Sequence, residues 1–215
     1  MARGLIIEGI SGSGKTAVLN ALLHLQQGQE DRPPSQLVLT EYHTQRVLER
    51  KEQEGTLKPG DHLALLEELV AFLEGLELRR RERGWPREIP AEADFSFLLE
   101  RFHLTHVFRF PYMTWEMVRP LDRRLKKLNA TLVLLTVQAE VLEKRLFSRR
   151  HPCWLKYLHR YGSTPAAIVG AFLERQKLAV ELAARSLLPV IAVDTSDKTP
   201  AETAGIIQAR LLSTQ

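Results

Sequence analysis

The stretch Glu8-Gly9-Ile10-Ser11-Gly12-Ser13-Gly14-Lys15-Thr16 decides how the rest of the chain is read. Its spacing, Gly9-x-x-x-x-Gly14-Lys15-Thr16, is that of a loop that cradles phosphate. Such a loop works only between a strand and a helix. Leu5-Ile6-Ile7 before it is short and apolar, as a buried parallel strand is. Val18, Leu19, Leu22, Leu23 and Leu25 after it recur at helical spacing. Gly9, Gly12 and Gly14 permit backbone angles and close approach that a Cβ forbids. The loop N–H groups then converge on phosphate at the positive end of the helix dipole. Lys15 reaches the β- and γ-phosphates, and the Thr16 hydroxyl joins the shell of Mg²⁺. The expected nucleotide-binding residues are therefore Gly9, Ser11, Gly12, Ser13, Gly14, Lys15, Thr16 and Ala17.

At 215 residues the chain suits one α/β domain, with room for a small lid or an inserted helical part. Hydrophobic residues at 44% and charged residues at 26% are ordinary for a globular protein. A formal net charge of +4 suits an anionic ligand without demanding nucleic acid. The single cysteine, Cys153, excludes an internal disulfide and a cysteine-rich metal site. No apolar run is long enough to span a membrane. The N-terminus carries one basic residue and leads straight into the first strand, so a signal peptide is not read there. A cytoplasmic location is the resulting expectation, and the sequon Asn129-Ala130-Thr131 carries no weight. A homodimer is compatible with the sequence.

Four more strands are expected, at Gln36–Thr40, Phe95–Leu99, Thr131–Val137 and Leu188–Val193. Helical patterns separate them, which predicts a parallel sheet with helices on both faces. Asp61 is expected to cap a long helix with Leu63, Leu66, Leu69, Val70, Leu73 and Leu76 on one stripe. Its basic end, Arg79-Arg80-Arg81-Glu82-Arg83, matches the helix dipole. Thr164-Pro165 starts a helix running to about Ser186, and Thr199-Pro200 starts the last one.

Three stretches add chemistry to the loop. Glu100-Arg101 follows a strand directly, where ligands lie in open α/β sheets. A carboxylate there holds a magnesium-bound water, and the adjacent guanidinium clamps a phosphate or substrate oxygen. Glu41, again directly after a strand, can accept the proton of an attacking hydroxyl; a solvated loop glutamate is the competing reading. Arg145, Arg149 and Arg150 follow the fourth strand and its helix. Arginines on a mobile segment stabilise the charge that phosphoryl transfer spreads over equatorial oxygens.

Taken together, these residues resemble the thymidylate kinase and deoxynucleoside kinase group. The resemblance rests on Glu8-Gly9 before the loop, Gly12 to Thr16 within it, and Glu100-Arg101-Phe102 at the third strand. Arg145, Arg149 and Arg150 resemble the group's lid, and Val193-Asp194-Thr195-Ser196 its final-strand ending near the adenine. The resemblance implies a three-layer P-loop NTPase with five parallel strands in the order 2-3-1-4-5. It also implies ATP as donor, Mg²⁺ as partner ion, and an acceptor pocket between the second and third strands. Asp194 and Thr195 join the nucleotide-binding set on this basis, and Thr16 and Glu100 form the metal set. Lys15, Glu41, Arg101, Arg145, Arg149 and Arg150 form the catalytic set. The chain departs from thymidylate kinases at Ser11, at Thr40-Glu41-Tyr42 and at Glu100, and from deoxynucleoside kinases at Phe102.

The expectation is one kinase domain over residues 1–215, with a helical insertion at about 43–94 and a lid at about 145–163. It moves the γ-phosphate of ATP to a small acceptor, a nucleoside or nucleoside monophosphate first. A kinase of another hydroxylated metabolite or antibiotic is the alternative within enzymes, and a nucleotide-driven regulatory ATPase the alternative outside them. Among smaller signals, His103 and His106 read as an ordinary helix face rather than a zinc pair, and Phe108, Phe110, Tyr112 and Trp115 as core, with stacking on a base the alternative. Arg109 and Arg119 flank those aromatics, within reach of an anionic acceptor if they face inward.

Overall fold

Alternation of short apolar strands with helices produces one sheet of five parallel strands, in the order β2-β3-β1-β4-β5. The strands are β1 (Arg3–Glu8), β2 (Ser35–Leu39), β3 (Phe95–Glu100), β4 (Ala130–Thr136) and β5 (Val190–Asp194). The computed structural model describes residues 3–27, 35–82, 95–148 and 151–213. The helices are α1 (Lys15–Gln27), α2 (Glu41–Thr44), α3 (Glu49–Gln53), α4 (Pro59–Glu82) and α5 (His103–Arg109). They continue as α6 (Trp115–Lys127), α7 (Ala139–Phe147), α8 (Pro152–Leu158), α9 (Pro165–Arg185) and α10 (Pro200–Ser213). The five-stranded order and the helices on both sides agree with the expectation.

Side chains alternate across the pleat, so each central strand feeds two cores. Leu5 and Ile7 of β1, with Val133 and Leu135 of β4, pack against Val18, Leu19 and Leu22 of α1 and Ala204 and Ile207 of α10. Ile6, Phe97, Leu99, Leu132 and Leu134 face the other way, onto α4, α5, α6 and α9. Gly4 has a packing reason within β1: a Cβ there would collide with the Phe97 ring from β3. The β5 edge is partly blunted, because Arg210 donates to the Ala192 carbonyl at 2.8 Å.

Helix starts follow their caps. The Thr164 hydroxyl accepts from Ala167 N at 3.2 Å before Pro165. Thr199 and Glu202 form a reciprocal capping box at α10, with Glu202 accepting from Thr199 N at 2.7 Å. The α4 start is a correction. The helix begins at Pro59, not after Asp61, whose carboxylate lies in the first turn and accepts from Lys58 N at 2.9 Å. The expected stripe holds, with Leu66, Val70 and Leu73 fully buried and Leu63, Leu69 and Leu76 packed at its margin. Of the basic end of α4, Arg83 lies outside the described residues.

Among the described residues no helix is long and apolar enough to cross a membrane. Phe108, Phe110 and Trp115 are core, while Tyr112 reaches the surface. His103 and His106 are buried rather than on an exposed helix face, and each has a polar partner. Nearby histidines, cysteines and carboxylates form no metal-binding cluster among the described residues.

Candidate active site

The site lies beyond the C-terminal ends of β1, β2 and β3, where the parallel strands release their chains into loops. After β1 the backbone takes left-handed angles at Gly12 (φ +88°) and Gly14 (φ +86°), which disfavour any side chain. A Cβ at Gly9 would also strike the Leu135 carbonyl of β4. The loop closes on itself through Ser13 N to Ile10 O at 3.2 Å and runs into α1, of which Lys15 is the first residue. Ala17 lies exposed in that first turn.

Lys15 is almost fully buried, and its ammonium donates to the Ile10 carbonyl at 2.7 Å. Burial, reinforced by the Arg101 charge, pulls its pKa down from 10.5 to about 7, against Glu100, Glu41 and Glu8. A phosphate beside it would reverse that shift. Thr16 donates to Glu100 Oε1 at 2.6 Å, joining the start of α1 to the end of β3. The other Glu100 oxygen, Oε2, is buried with no hydrogen-bond partner. A buried carboxylate oxygen left unpaired beside a threonine hydroxyl is a donor set that suits a hard, hydrated cation. These residues therefore fit Mg²⁺.

Arg101 leaves β3 in the left-handed region (φ +58°), uncommon for a residue with a side chain and characteristic of functional sites. Its guanidinium donates to Glu41 Oε2 at 2.5 Å and to the Ser11 hydroxyl at 3.2 Å. Residues from three strand ends thus meet at one ion pair. Burial pushes the Glu41 carboxyl up, but Arg101, Lys15 and Arg46 outweigh it and hold it below the usual carboxylate range. Glu41 is ionised at neutral pH.

A cavity of about 830 Å³ opens at this pair, lined by Ser11, Glu41 and Arg101 and extending to Gln45, Glu49, Glu52 and Arg109. Trp154, Tyr157 and Arg160 from α8 and its end form a further wall. Arg109 donates to Glu52 at 2.9 Å and to Gln45 at 2.6 Å. Arg46 pairs with Glu49 at 3.1 Å and more loosely with Glu41. Arg119 is exposed and is not part of this lining, whereas Cys153 is.

Other expected residues hold the loop rather than face the cavity. Arg145 donates to the Gly12 carbonyl at 3.2 Å and to both oxygens of Thr195, at 2.9 and 2.6 Å. The Thr195 hydroxyl lies 3.1 Å from the Ser13 carbonyl, so the end of β5 is tied to the loop. Asp194 is engaged by Ser196 N at 2.9 Å, shaping the turn after β5. Arg149 and Arg150 lie outside the described residues.

The role of Glu8 and a second set of residues escaped the sequence reading. Glu8, fully buried, accepts from Phe102 N and Leu104 N at 3.0 Å, from Thr105 N at 3.3 Å, and from the Thr105 hydroxyl. It anchors the N-terminus of α5 to the edge of the glycine-rich loop. Gln45, Glu49 and Glu52 continue from Glu41 at steps of 4, 4 and 3 residues, a polar helical stripe that periodicity alone would have exposed.

No family model and no curated protein matches the chain. Solved structures do. YorR from Bacillus subtilis, in complex with phosphorylated GDP, aligns at a TM-score of 0.62 and 15% identity, covering 99% of this chain and 98% of its own. An unliganded sugar kinase from Janibacter sp. HTCC2649 aligns at 0.54 and 16% identity, over 98% of this chain and 95% of its own. At these identities the likeness is one of fold, and it extends over nearly the whole chain.

Proposed function

We propose that this protein is an ATP-dependent phosphotransferase that moves the γ-phosphate to a hydroxyl of a small molecule. The observation that carries the reading is the Glu41–Arg101 pair, at 2.5 Å, in a cavity whose rim is Ser11 of the phosphate loop. The candidate base stands in the cavity that Ser11 of that loop also lines. Lys15 and the loop amides would hold the β- and γ-phosphates, and Thr16 with Glu100 would hold Mg²⁺. Bound there, Mg²⁺ would neutralise charge on those phosphates. Arg101 would position the acceptor and Glu41 would take its proton. Arg149 and Arg150 are proposed to steady the transferring group from a lid at about 145–163, while Arg145, bonded to Gly12 O and Thr195, is proposed to brace the donor loop. Asp194 and Thr195 are proposed to bound the nucleotide. The whole chain is proposed as one kinase domain, with a helical insertion at about 43–94.

Glu41, an ionised carboxylate on the cavity wall, supports an alcohol as acceptor. Arg46, Arg101 and Arg109 each face a carboxylate, Glu49, Glu41 and Glu52, while Lys156 and Arg160 also line the cavity and leave it net positive. A nucleoside or another polyol is the first reading on the strength of Glu41, and a nucleoside monophosphate, suited by the surplus positive charge, is the second. Mg²⁺ and γ-labelled ATP, incubated with a panel of nucleosides, nucleoside monophosphates, sugars and hydroxylated antibiotics, test the reading. Label in an alcohol product is expected. ATP turnover indifferent to every acceptor would instead support a regulatory ATPase.

A further inference from the structure

A chain of hydrogen bonds runs through the core behind Glu41, and none of its members belongs to the site described above. His62 Nδ1 of α4 lies 2.8 Å from His106 Nδ1 of α5. His62 Nε2 lies 3.0 Å from the Tyr112 hydroxyl, and His106 Nε2 lies 2.9 Å from the Thr44 carbonyl. Both imidazoles are fully buried.

Only one arrangement of protons satisfies these contacts with neutral rings. A carbonyl only accepts, so the His106 proton is on Nε2. His106 Nδ1 is then bare and accepts from His62 Nδ1–H. That leaves His62 Nε2 bare, to accept from Tyr112. Every nitrogen in the pair is used, and the last donor in the line ends on Thr44.

Thr44 closes α2, and α2 begins with Glu41. A helix of four residues has no stability of its own, so outside bonds fix where Glu41 stands. Arg101 holds the Glu41 side chain at 2.5 Å. The backbone is held at the far end, where His106 donates to Thr44 O and the Thr44 hydroxyl donates to Glu100 O at 2.5 Å. Three residues further along α5, Arg109 grips Gln45, the next residue of the same segment, at 2.6 Å. Helix α5 is itself pinned to the phosphate loop by Glu8. Loop and α2 are thereby built on a common frame.

We infer that His106, as the Nε2–H tautomer set by His62 and Tyr112, is a positioning residue that fixes Glu41 relative to the phosphate loop. The inference rests on the kinase reading proposed above for its consequence in turnover, but not for its consequence in α2. In His106→Leu the donor to Thr44 O is lost. The α2 amides of Thr44 and Gln45, bonded to Thr40 O at 3.2 Å and Glu41 O at 3.1 Å, should then exchange with solvent at least about tenfold faster. Amides of β1 and β4 should keep their protection.

With a working acceptor from the panel, turnover should fall about ten- to a hundredfold while the KM for ATP stays put. His106→Gln, which retains a donor and an acceptor, should restore both readouts to within about threefold. Unchanged α2 exchange in a folded His106→Leu protein overturns the inference whatever the transfer assay shows. Absence of transfer by the wild type overturns the kinase reading instead, and leaves the exchange result to decide this one. Should His106→Leu fail to fold, ¹H–¹⁵N spectra of the wild-type imidazoles decide. A proton on His106 Nε2 and on His62 Nδ1 is expected, and one on His106 Nδ1 overturns the arrangement.

Discussion

Thr16, near the start of α1, donates to Glu100 Oε1, at the end of β3, across 2.6 Å, while Glu100 Oε2 lies buried without a partner. The pair bridges the helix that follows the glycine-rich loop and the strand that leads into Arg101. In Glu100→Gln the shape remains and the charge goes. The Mg²⁺ concentration for half-maximal activity should rise about ten- to a hundredfold, with nucleotide affinity changed far less. Overlapping magnesium titrations for mutant and wild type would mean that Glu100 is a structural partner of Thr16 alone.

Lys15 offers a charge test and a proton test. Lys15→Ala should leave the fold intact and raise the barrier to transfer by about 3–5 kcal/mol. Turnover within tenfold of wild type would sink the phosphate-loop assignment. In the wild type the ammonium is held down to about 7 by burial, so above that pH a bound triphosphate must bring its proton back. MgATP binding should therefore take up a proton at pH 8 and weaken as pH rises through about 7. Calorimetry in two buffers of different ionisation enthalpy reads the uptake directly.

The sheet was legible because its signals are local. Each strand is a short apolar run, and each lies within two residues of its expected start. The loop was legible for the same reason, since Gly9, Gly14, Lys15 and Thr16 act through spacing. Glu41, Glu100 and Arg101 could be picked out by their place after strands. That Arg101 spends its guanidinium on Glu41 and Ser11 depends on the packing of three strand ends, which no linear pattern encodes. The Glu8 cap joins residues more than ninety positions apart, so sequence reduces it to an acidic residue before a glycine. Arg145 read as a lid arginine because two of its three acceptors, Gly12 O and Thr195 O, are backbone atoms that leave no trace in composition, and the third, the Thr195 hydroxyl, lies fifty positions away.

Glu8 should matter to stability before it matters to activity. Glu8→Ala removes the acceptor for three amides and a hydroxyl at the buried start of α5. Orphaned donors of that kind cost about 1–3 kcal/mol each, so a total loss of roughly 3–5 kcal/mol is expected after relaxation. The urea midpoint measures it. A midpoint within experimental error of wild type would show that water replaces the carboxylate.

Stability should also fall in mild acid. Burial holds His62 down to about 4 and His106 down to about 3, with Asp61 opposing for His62, and Arg109 adding to the depression of both. Unfolded, both titrate near 6.5. The unfolded chain therefore binds more protons below that value, and the contribution of the pair, complete above pH 6.5, drains away as pH falls towards 4 and 3. Denaturation at pH 7.5, 6 and 5 should show a decline that is shallower in His106→Gln. Parallel pH slopes for the two proteins would mean that His106 does not stay neutral in the fold.

Glu41→Gln separates the acceptor classes. An alcohol is a poor nucleophile near neutral pH, and a carboxylate within hydrogen-bond reach helps remove its proton. A phosphate oxygen already carries charge and needs only positioning. Arg101, Lys15 and Arg46 hold Glu41 ionised, which readies it as an acceptor of protons but weakens it as a base. Displacing Arg101 towards an incoming substrate would restore some of that basicity. With an alcohol acceptor, Glu41→Gln should lower kcat by about two orders of magnitude or more and leave the acceptor KM within a few-fold. If kcat holds and only the acceptor KM moves, Glu41 positions and does not deprotonate. A complex with acceptor bound that puts Glu41 beyond the reach of one bridging water would remove it from the chemistry, and the pairing with Arg101 would then serve only to orient the guanidinium.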